Sequence, residues 1–198
     1  LCKDLDNARN WSVFHEDVIT TDIKVFYLNH ALAITNSDTS TWDVSAINAT
    51  TFTPYFRDDY GASINADNIA FLWHDVPGLQ KFGTYTGNGA SGYPAADGPF
   101  IELGFLPRII IIKSSTTDEE WIIYDTERNK VNYVSSQIAT SSSAAESTGD
   151  NRAIDVLSNG FKVRNNNGRA NTDGATYIYA AWAESPSVDL YGGGANAR

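Results

Sequence analysis

Short runs of alternating hydrophobic and polar residues follow one another along most of the chain, with turn-forming residues between them. Many hydrophobic positions hold β-branched or aromatic side chains, which is typical of half-buried strands. Hydrophobic residues at helical spacing do not extend over a normal helix, so the sequence predicts an all-β fold of the sandwich or jelly-roll type. The predicted strands are residues 11–15, 24–28, 42–45, 52–56, 69–73, 84–86, 100–103, 108–113, 121–124, 153–157, 161–164 and 176–184.

Three segments add detail to this pattern. Residues 108–113 contain four consecutive isoleucines, a run typical of a strand that is buried on both faces. Asn159-Gly160 separates two alternating runs and predicts a hairpin whose two turn residues have positive φ. Residues 135–147 are rich in serine and alanine but lack hydrophobic residues at helical spacing, which favours a loop and an edge strand.

The same arrangement of residues occurs twice in the chain. Trp73 and Trp182 lie 109 residues apart, and Trp11 and Trp121 lie 110 residues apart. A nearly constant offset over most of the chain indicates a duplication, which must be recognised before the fold is assigned. Because these four tryptophans recur at equivalent places, we expect all of them to be buried.

The duplication predicts two antiparallel β-sandwich units and a tail. We expect the first repeat at residues 1–82, the second at 83–186 and the C-terminal tail at 187–198. Residues 83–110 open the second repeat, and nothing in the sequence matches them at the front of the first. The first repeat is therefore expected to be truncated at its start, with its opening strands elsewhere or donated by a partner.

Charge and composition narrow the range of partners. The chain has 198 residues and a formal net charge of −10 at pH 7. Nucleic acids and anionic membranes bind positively charged surfaces, so this charge argues against both. Cys2 is the single cysteine, which excludes an internal disulfide. No run approaches about 18 uninterrupted apolar residues, so we expect no membrane insertion.

Residues 87–92 fit the glycine pattern G-x-G-x-x-G of dinucleotide-binding loops. That function also requires a helix that begins directly after the loop. Pro94 and Pro99 prevent such a helix, so we interpret the glycines as a flexible turn. The three histidines and the cysteine lack the spacing of zinc ligands. The sequence therefore predicts neither a metal nor another cofactor.

Acidic and amide-rich segments suggest two further kinds of site. Asp58-Asp59 and Glu119-Glu120 are pairs of adjacent carboxylates. Neighbouring strand residues point to opposite faces, so neither pair alone forms the two-carboxylate site of a glycosidase, although distant carboxylates stay open as an alternative. Residues 165–174 offer oxygen atoms to calcium, but they contain a single carboxylate, and ordinary turns are favoured.

Six segments carry a family resemblance. They are FGTYTGNG at 82–89, GPF at 98–100, GFLPR at 104–108, WIIYDTERN at 121–129, LSNGFK at 157–162 and YIYAAWAE at 177–184. Together they resemble a repeated β-domain found in the C-terminal parts of tailed-bacteriophage virion proteins, notably tail fibres of marine phages. The resemblance is dense over the second repeat and weaker over the first.

The resemblance implies a structural component of the virion, on an external appendage, most simply the distal part of a tail fibre that contacts the host. It implies a homotrimer whose other partners are virion proteins and a host cell-surface glycan or protein. It supplies no catalytic residues, so we expect no enzyme activity. A capsid-surface decoration or head-fibre protein is the alternative function, and a polysaccharide depolymerase ranks third.

Loops that differ between the repeats are the expected places for binding, because duplicated units share their scaffold. The loop before the closing strand is rich in aromatic and charged side chains in the first repeat and in amides in the second. Both compositions suit recognition, although packing of the aromatic residues against their own unit is an alternative. The candidate ligand-binding residues are Tyr55, Arg57, Asp58, Tyr60, Asn166 and Arg169.

Overall fold

A computed structural model describes residues 1–21, 24–36, 47–48, 50–52 and 65–186 of the chain. Nearly all regular structure in this part consists of antiparallel strands, which confirms the predicted all-β fold. The predicted strand at 42–45, and most of the one at 52–56, lie outside the described residues.

The chain divides into two compact units, which we call unit 1 (Leu1–Trp73) and unit 2 (His74–Arg198). The division lies earlier in the chain than the boundary after Phe82 that we expected from the duplication. Each unit has strands of its own.

The described residues of unit 1 form a five-stranded antiparallel sheet. Its strands are β1 (Cys2–Asp4), β2 (Ser12–Val13), β3 (Lys24–Tyr27), β4 (Thr35–Asn36) and β5 (Asn68–Ala70). Their spatial order is β4-β3-β2-β1-β5, so β5 comes last among the strands that the structure describes in this unit. Val25 and Phe26 of β3 are fully buried. These side chains are typical of strands because β-branched and aromatic groups pack well on a pleated surface.

The other eight described strands belong to unit 2. They are β6 (Gln80–Thr86), β7 (Phe100–Glu102), β8 (Pro107–Ser114), β9 (Ile122–Asp125), β10 (Ile138–Ala139), β11 (Ile154–Leu157), β12 (Gly160–Val163) and β13 (Thr176–Ala183). One sheet has the order β10-β9-β8-β13-β6 and the other the order β11-β12-β7. β6 is longer than the predicted 84–86, because it pairs with β13 from Thr86 back to Gln80. β10 confirms the edge strand expected within 135–147.

The two sheets of unit 2 enclose one hydrophobic core and form a β-sandwich. Side chains from both sheets alternate between core and outer face, as the period of a strand requires. The larger sheet contributes Ile110, Ile112, Ile122, Tyr124 and Tyr177, and the smaller sheet contributes Ile101, Ile154, Phe161 and Val163.

The isoleucine run follows this alternation rather than the prediction. Ile110 and Ile112 point into the core and are fully buried. Ile109 and Ile111, on the opposite face of β8, are only partly buried. The prediction of a strand buried on both faces is therefore wrong for the outer face, because the second sheet covers β8 from one side.

The hairpin between β11 and β12 is present, but its turn differs from the prediction. Leu157 pairs with Gly160, so Ser158 and Asn159 are the turn residues, and neither has positive φ. Gly160 lies buried in β12, where a Cβ would collide with the carbonyl oxygen of Ile101 on β7. The glycine therefore serves the close approach of two strands rather than the conformation of a turn.

Strand pairing repeats between the units. Cys2 pairs with Ala70 in unit 1, and Ile112 pairs with Tyr179 in unit 2, at the offsets that the duplication predicts. The pairing of β1 with β2 repeats in that of β8 with β9. Strands β1, β2 and β5 therefore correspond to β8, β9 and β13. Among the described residues of unit 1, no strand corresponds to β6.

The four tryptophans predicted to be buried differ in their surroundings. Trp121 is 6% exposed, as predicted. Trp11 and Trp182 are partly buried, whereas Trp73 is 50% exposed and contradicts the prediction. Trp182 packs edge-on against Phe82 of β6, with ring centroids 5.5 Å apart. Trp73 ends the segment that follows β5. Among the described residues, no strand takes the place beside β5 that β6 takes beside β13.

Candidate functional site

The candidate residues of unit 2 lie in the loop between β12 and β13, residues 164–175. Two buried asparagines, Asn165 and Asn171, form hydrogen bonds that fix its conformation. Asn165 Nδ2 donates to the carbonyl of Ala153 at 2.9 Å, and its Oδ1 accepts the amide of Asn167 at 2.9 Å. Asn171 Nδ2 donates to the carbonyl of Asn165 at 2.7 Å. Buried polar groups require such partners, so these bonds fix the backbone of the loop.

A second loop, residues 87–92, is joined to the first by a pair of asparagines. The backbone N–H of Asn88 donates to Asn171 Oδ1 at 2.8 Å. In return, Asn171 Nδ2 donates to the side-chain Oδ1 of Asn88 at 3.2 Å. A Cβ on Gly87 would collide with the carbonyl oxygen of Thr172. The segment is an irregular loop, and its start is closely packed and hydrogen-bonded rather than the flexible turn that we expected.

Two core tyrosines hold the same loop through their hydroxyl groups. Tyr85 of β6 donates to the carbonyl of Ala170 at 2.8 Å. Tyr177 of β13 donates to the carbonyl of Gly168 at 2.7 Å and accepts the amide of Thr172 at 2.8 Å. Burial raises the pKa of both tyrosines, so both hydroxyls stay protonated donors at neutral pH.

The predicted site residues of this loop differ in exposure. Asn166 is exposed to solvent. Arg169 is partly buried and forms an ion pair with Glu120, while its amide donates to Asn167 Oδ1 at 3.1 Å. The loop therefore presents the Asn166 amide outward and holds most of the guanidinium against unit 2. The remaining candidates lie outside the described residues: Tyr55, Arg57, Asp58 and Tyr60.

A groove of about 320 Å³ lies elsewhere on unit 2. Lys130 and Arg108 line it, and both form ion pairs with Glu127. The hydrogen bonds from Lys130 and Arg108 lower the pKa of Glu127. Asn132 also lines the groove and bonds to the carbonyl and amide of Val156, at 2.8 and 2.9 Å. These polar groups of the groove are partnered within the protein.

The loop 164–175 therefore presents the exposed side chain of Asn166 on a backbone that is fixed by hydrogen bonds. Over the described residues, no group of three or more histidine, cysteine, aspartate or glutamate side chains is placed to hold a metal ion. In the same residues, no helix has both the length and the hydrophobicity to cross a bilayer.

Sequence reasoning missed the residues that fix this loop, namely Asn88, Asn165 and Asn171. A signal was present, because asparagines beside glycine-rich turns often bond to the backbone. The partners, however, lie far apart in sequence, and the Asn88–Asn171 bond spans 83 residues. Local patterns carry no information about such a contact.

Comparisons with known proteins give the chain a family. No curated protein and no solved structure matches it. The sequence model of the family described as "Domain of unknown function (DUF7483)" matches residues 1–186, which include strands of both units. The chain therefore belongs to the DUF7483 family.

Proposed function

We propose that this chain is a structural module of a phage virion appendage, the distal part of a tail fibre, and that the loop 164–175 takes part in contact with the host. The segments that carry the family resemblance support this role. Within them, Gly87 and Gly160 allow close backbone approaches, and Tyr85 and Tyr177 hold the loop. These four residues serve the fold and not a ligand. Segments of this kind are typical of a rigid scaffold whose surface loops are free to differ.

The proposal rests most directly on the preorganised loop. Its backbone is bonded to two core tyrosines and two buried asparagines, while Asn166 stays exposed. A binding loop that is already ordered loses little conformational entropy when it meets its ligand. This arrangement suits repeated, weak contacts with a cell surface, which many copies on a particle strengthen through avidity.

Immunogold electron microscopy of intact virions, with antibodies raised against the purified chain, tests the location. Label at the tail tip is expected. Label over the capsid would support a head-fibre or decoration protein instead. Particles without label would overturn the proposal, and release of reducing sugar from host polysaccharide by the purified chain would establish a depolymerase.

Competition for adsorption tests the loop. Excess purified chain is expected to block phage adsorption, and Asn166→Ala is expected to weaken this block, as are Tyr55→Ala and Tyr60→Ala. Asn151→Ala, at another exposed asparagine of unit 2, is the matched control and should block like the parent. Equal blocking by all variants would remove these residues from the contact.

We also propose that the chain assembles as a homotrimer, as the resemblance implies for virion fibres. Static light scattering should then give three times the 21.6 kDa mass of one chain. A mass equal to one chain across a wide concentration range would contradict this part of the proposal without affecting the location of the protein.

A further inference from the structure

The groove on unit 2 combines a hydrophobic wall with charged and polar side chains. Leu106, Val134 and Val156 contribute apolar surface, and the other lining residues are polar or charged. Leu106 is 58% exposed, so a ligand in the groove can reach it. With about 320 Å³, the groove lies at the small end of the range for ligand pockets, about 300–1,000 Å³. This size suits one small ring rather than a long chain.

Side-chain hydrogen bonds to the backbone hold the walls of the groove. Asn132 Nδ2 donates to the carbonyl of Val156 at 2.8 Å, and Asn132 Oδ1 accepts the N–H of Val156 at 2.9 Å. Asn129 Oδ1 accepts the N–H of Ser135 at 2.8 Å, which fixes the orientation of that amide. A site that is ordered before its ligand arrives loses little conformational entropy on binding.

The ion pairs in the groove use only part of its capacity to donate hydrogen bonds. Glu127 gives one carboxylate oxygen to Arg108 and the other to Lys130. A guanidinium has five N–H groups and an ammonium has three, so each cation keeps further donors. Among the described residues, the only other charged group near Arg108 Nη1 is the carboxylate of Glu184, at 3.9 Å. The groove therefore offers N–H groups from two cations to a ligand.

Two neutral side chains of the groove add one donor and one acceptor. The Oδ1 of Asn129 is occupied by Ser135, which leaves its Nδ2 as the donor. The hydroxyl of Thr126 donates to the carbonyl of Pro107 at 3.3 Å, so its lone pairs can accept a hydrogen bond from a ligand. Groups of both kinds suit the hydroxyls of a sugar, which donate and accept.

The charges that line the groove are two cations, Arg108 and Lys130, and one carboxylate, Glu127. Their sum is positive, although the formal net charge of the chain is −10. Hydrogen bonds from Lys130 and Arg108 lower the pKa of Glu127, so its carboxylate is ionised at neutral pH. The Glu184 carboxylate is 78% exposed, and water screens its attraction for Arg108. The lining of the groove therefore favours a negatively charged ligand.

We propose that the groove binds an acidic sugar, whose carboxylate accepts hydrogen bonds from Arg108 and Lys130 and whose ring packs against Leu106. The planar fork of a guanidinium matches the geometry of a carboxylate. Asn129 and Thr126 bond to ring hydroxyls. The groove shares no lining residue with the loop 164–175, so this site does not depend on the proposed contact of that loop with the host.

Titration of the full chain with two matched sugars tests the ligand class. Methyl galacturonoside carries a carboxylate where methyl galactoside carries a hydroxymethyl group. NMR titration should show saturable binding of the acidic sugar, with a dissociation constant on the order of 1 mM for a ligand of this size. Amide signals of residues 126–132 should shift. The neutral sugar should bind at least about tenfold more weakly.

Three results of this titration would overturn the proposal. They are equal binding of the two sugars, binding of neither, and signal shifts confined to the loop 164–175. Inorganic phosphate is the third probe and should bind more weakly than the acidic sugar. Phosphate that binds as tightly would also count against an acidic-sugar site, because the groove would then recognise charge alone.

Variants of the groove complete the test. Lys130→Gln should weaken binding of the acidic sugar by about tenfold, because it removes a charge-assisted hydrogen bond. Glu127→Gln removes the competing negative charge while keeping the shape of the side chain, and should strengthen binding. Arg128→Gln is the matched control, since Arg128 pairs with Glu146 and does not line the groove, and should bind like the parent. Unchanged binding by Lys130→Gln, or weaker binding by Glu127→Gln, would refute the assignment.

Asn166→Ala separates this site from the loop 164–175. The variant should bind methyl galacturonoside like the parent, whatever its effect on phage adsorption. A loss of sugar binding in this variant would place the sugar on the loop and overturn the groove as its site. Sugar binding by a chain that does not block adsorption would leave the groove assigned and count against host contact through the loop alone.

Discussion

Strands β5 and β13 have the same pairing register and a different environment. Ile69 and Ile178 both face a lysine on the neighbouring strand, Lys3 in one unit and Lys113 in the other. The isoleucine of β13 is nonetheless buried beside a strand on each side. That of β5 is 37% exposed, and among the described strands β5 pairs with β1 alone. The comparison shows that equivalent residues acquire different burial from their neighbours, and that a repeated sequence does not repeat its exposure.

The corner after β1 in unit 1 is similar to the corner after β8 in unit 2. Lys3 Nζ donates to the carbonyl of Asp4 at 2.6 Å, and Lys113 Nζ donates to the carbonyl of Ser114 at 2.8 Å. The Asp4 and Ser114 side chains each accept backbone amides two and three residues further on. The repeated unit therefore conserves a hydrogen-bonded corner while the side chain that forms it changes.

The largest expected difference in stability is between variants of the two tryptophans that follow this corner, Trp121 in unit 2 and Trp11 in unit 1. Trp121→Ala should lower the free energy of unfolding by about 3–5 kcal/mol, because it removes a large side chain that is 6% exposed and leaves a cavity in its place. Trp11→Ala, at the partly buried counterpart, should cost less. Urea unfolding followed by circular dichroism measures both, and equal losses would mean that the two environments are energetically alike.

The next effect comes from giving unit 2 a residue of unit 1. Thr51 stands at the position that matches Gly160. Gly160→Thr should cost about 3 kcal/mol, since its Cβ would collide with the Ile101 carbonyl. Ser158→Thr, at an exposed turn residue of the same hairpin, is the control and should change stability little. A tolerated Gly160→Thr would show that β7 and β12 separate easily.

The loop between β12 and β13 provides a third test. Ala62 of the first repeat matches Asn171 in the sequence. Asn171→Ala should lower the free energy of unfolding by about 1–3 kcal/mol. It leaves the backbone N–H of Asn88 and the carbonyl of Asn165 without their partner. Asn166→Ala should stay within about 0.5 kcal/mol of the parent. Thermal melts of both variants check this, and a reversed order would contradict the division between structural and exposed asparagines.

The smallest effect is a dependence on pH. Burial lowers the pKa of Lys113 from 10.5 to about 8, so the unfolded chain binds more protons between these values. The stability of the parent relative to Lys113→Met should therefore rise as the pH rises from 8 to 10. Lys3→Met is the matched control for the loss of a lysine. A parent-to-variant difference that falls over this range would show that Lys113 is charged in the folded state.

The sequence determined the class of the fold and its repetition. Alternation located most of the described strands, and the constant offset predicted a duplication that the strand registers repeat. Asn159-Gly160 located a hairpin, although its turn is one residue earlier than expected. Strands and hairpins depend on neighbours within a few residues, so the local pattern of side chains is sufficient to indicate them. The duplication is visible because the same local patterns occur twice at a nearly constant offset.

Tertiary structure decided what the repeated residues do. Trp73 and Trp182 have the same place in the repeat, yet only Trp182 has Phe82 beside it. Gly160 is required because β7 lies against it, and Asn171 is structural because Asn88 meets it across 83 residues. Burial and hydrogen bonding between distant segments depend on how strands assemble, and a single sequence does not encode that assembly in any local pattern.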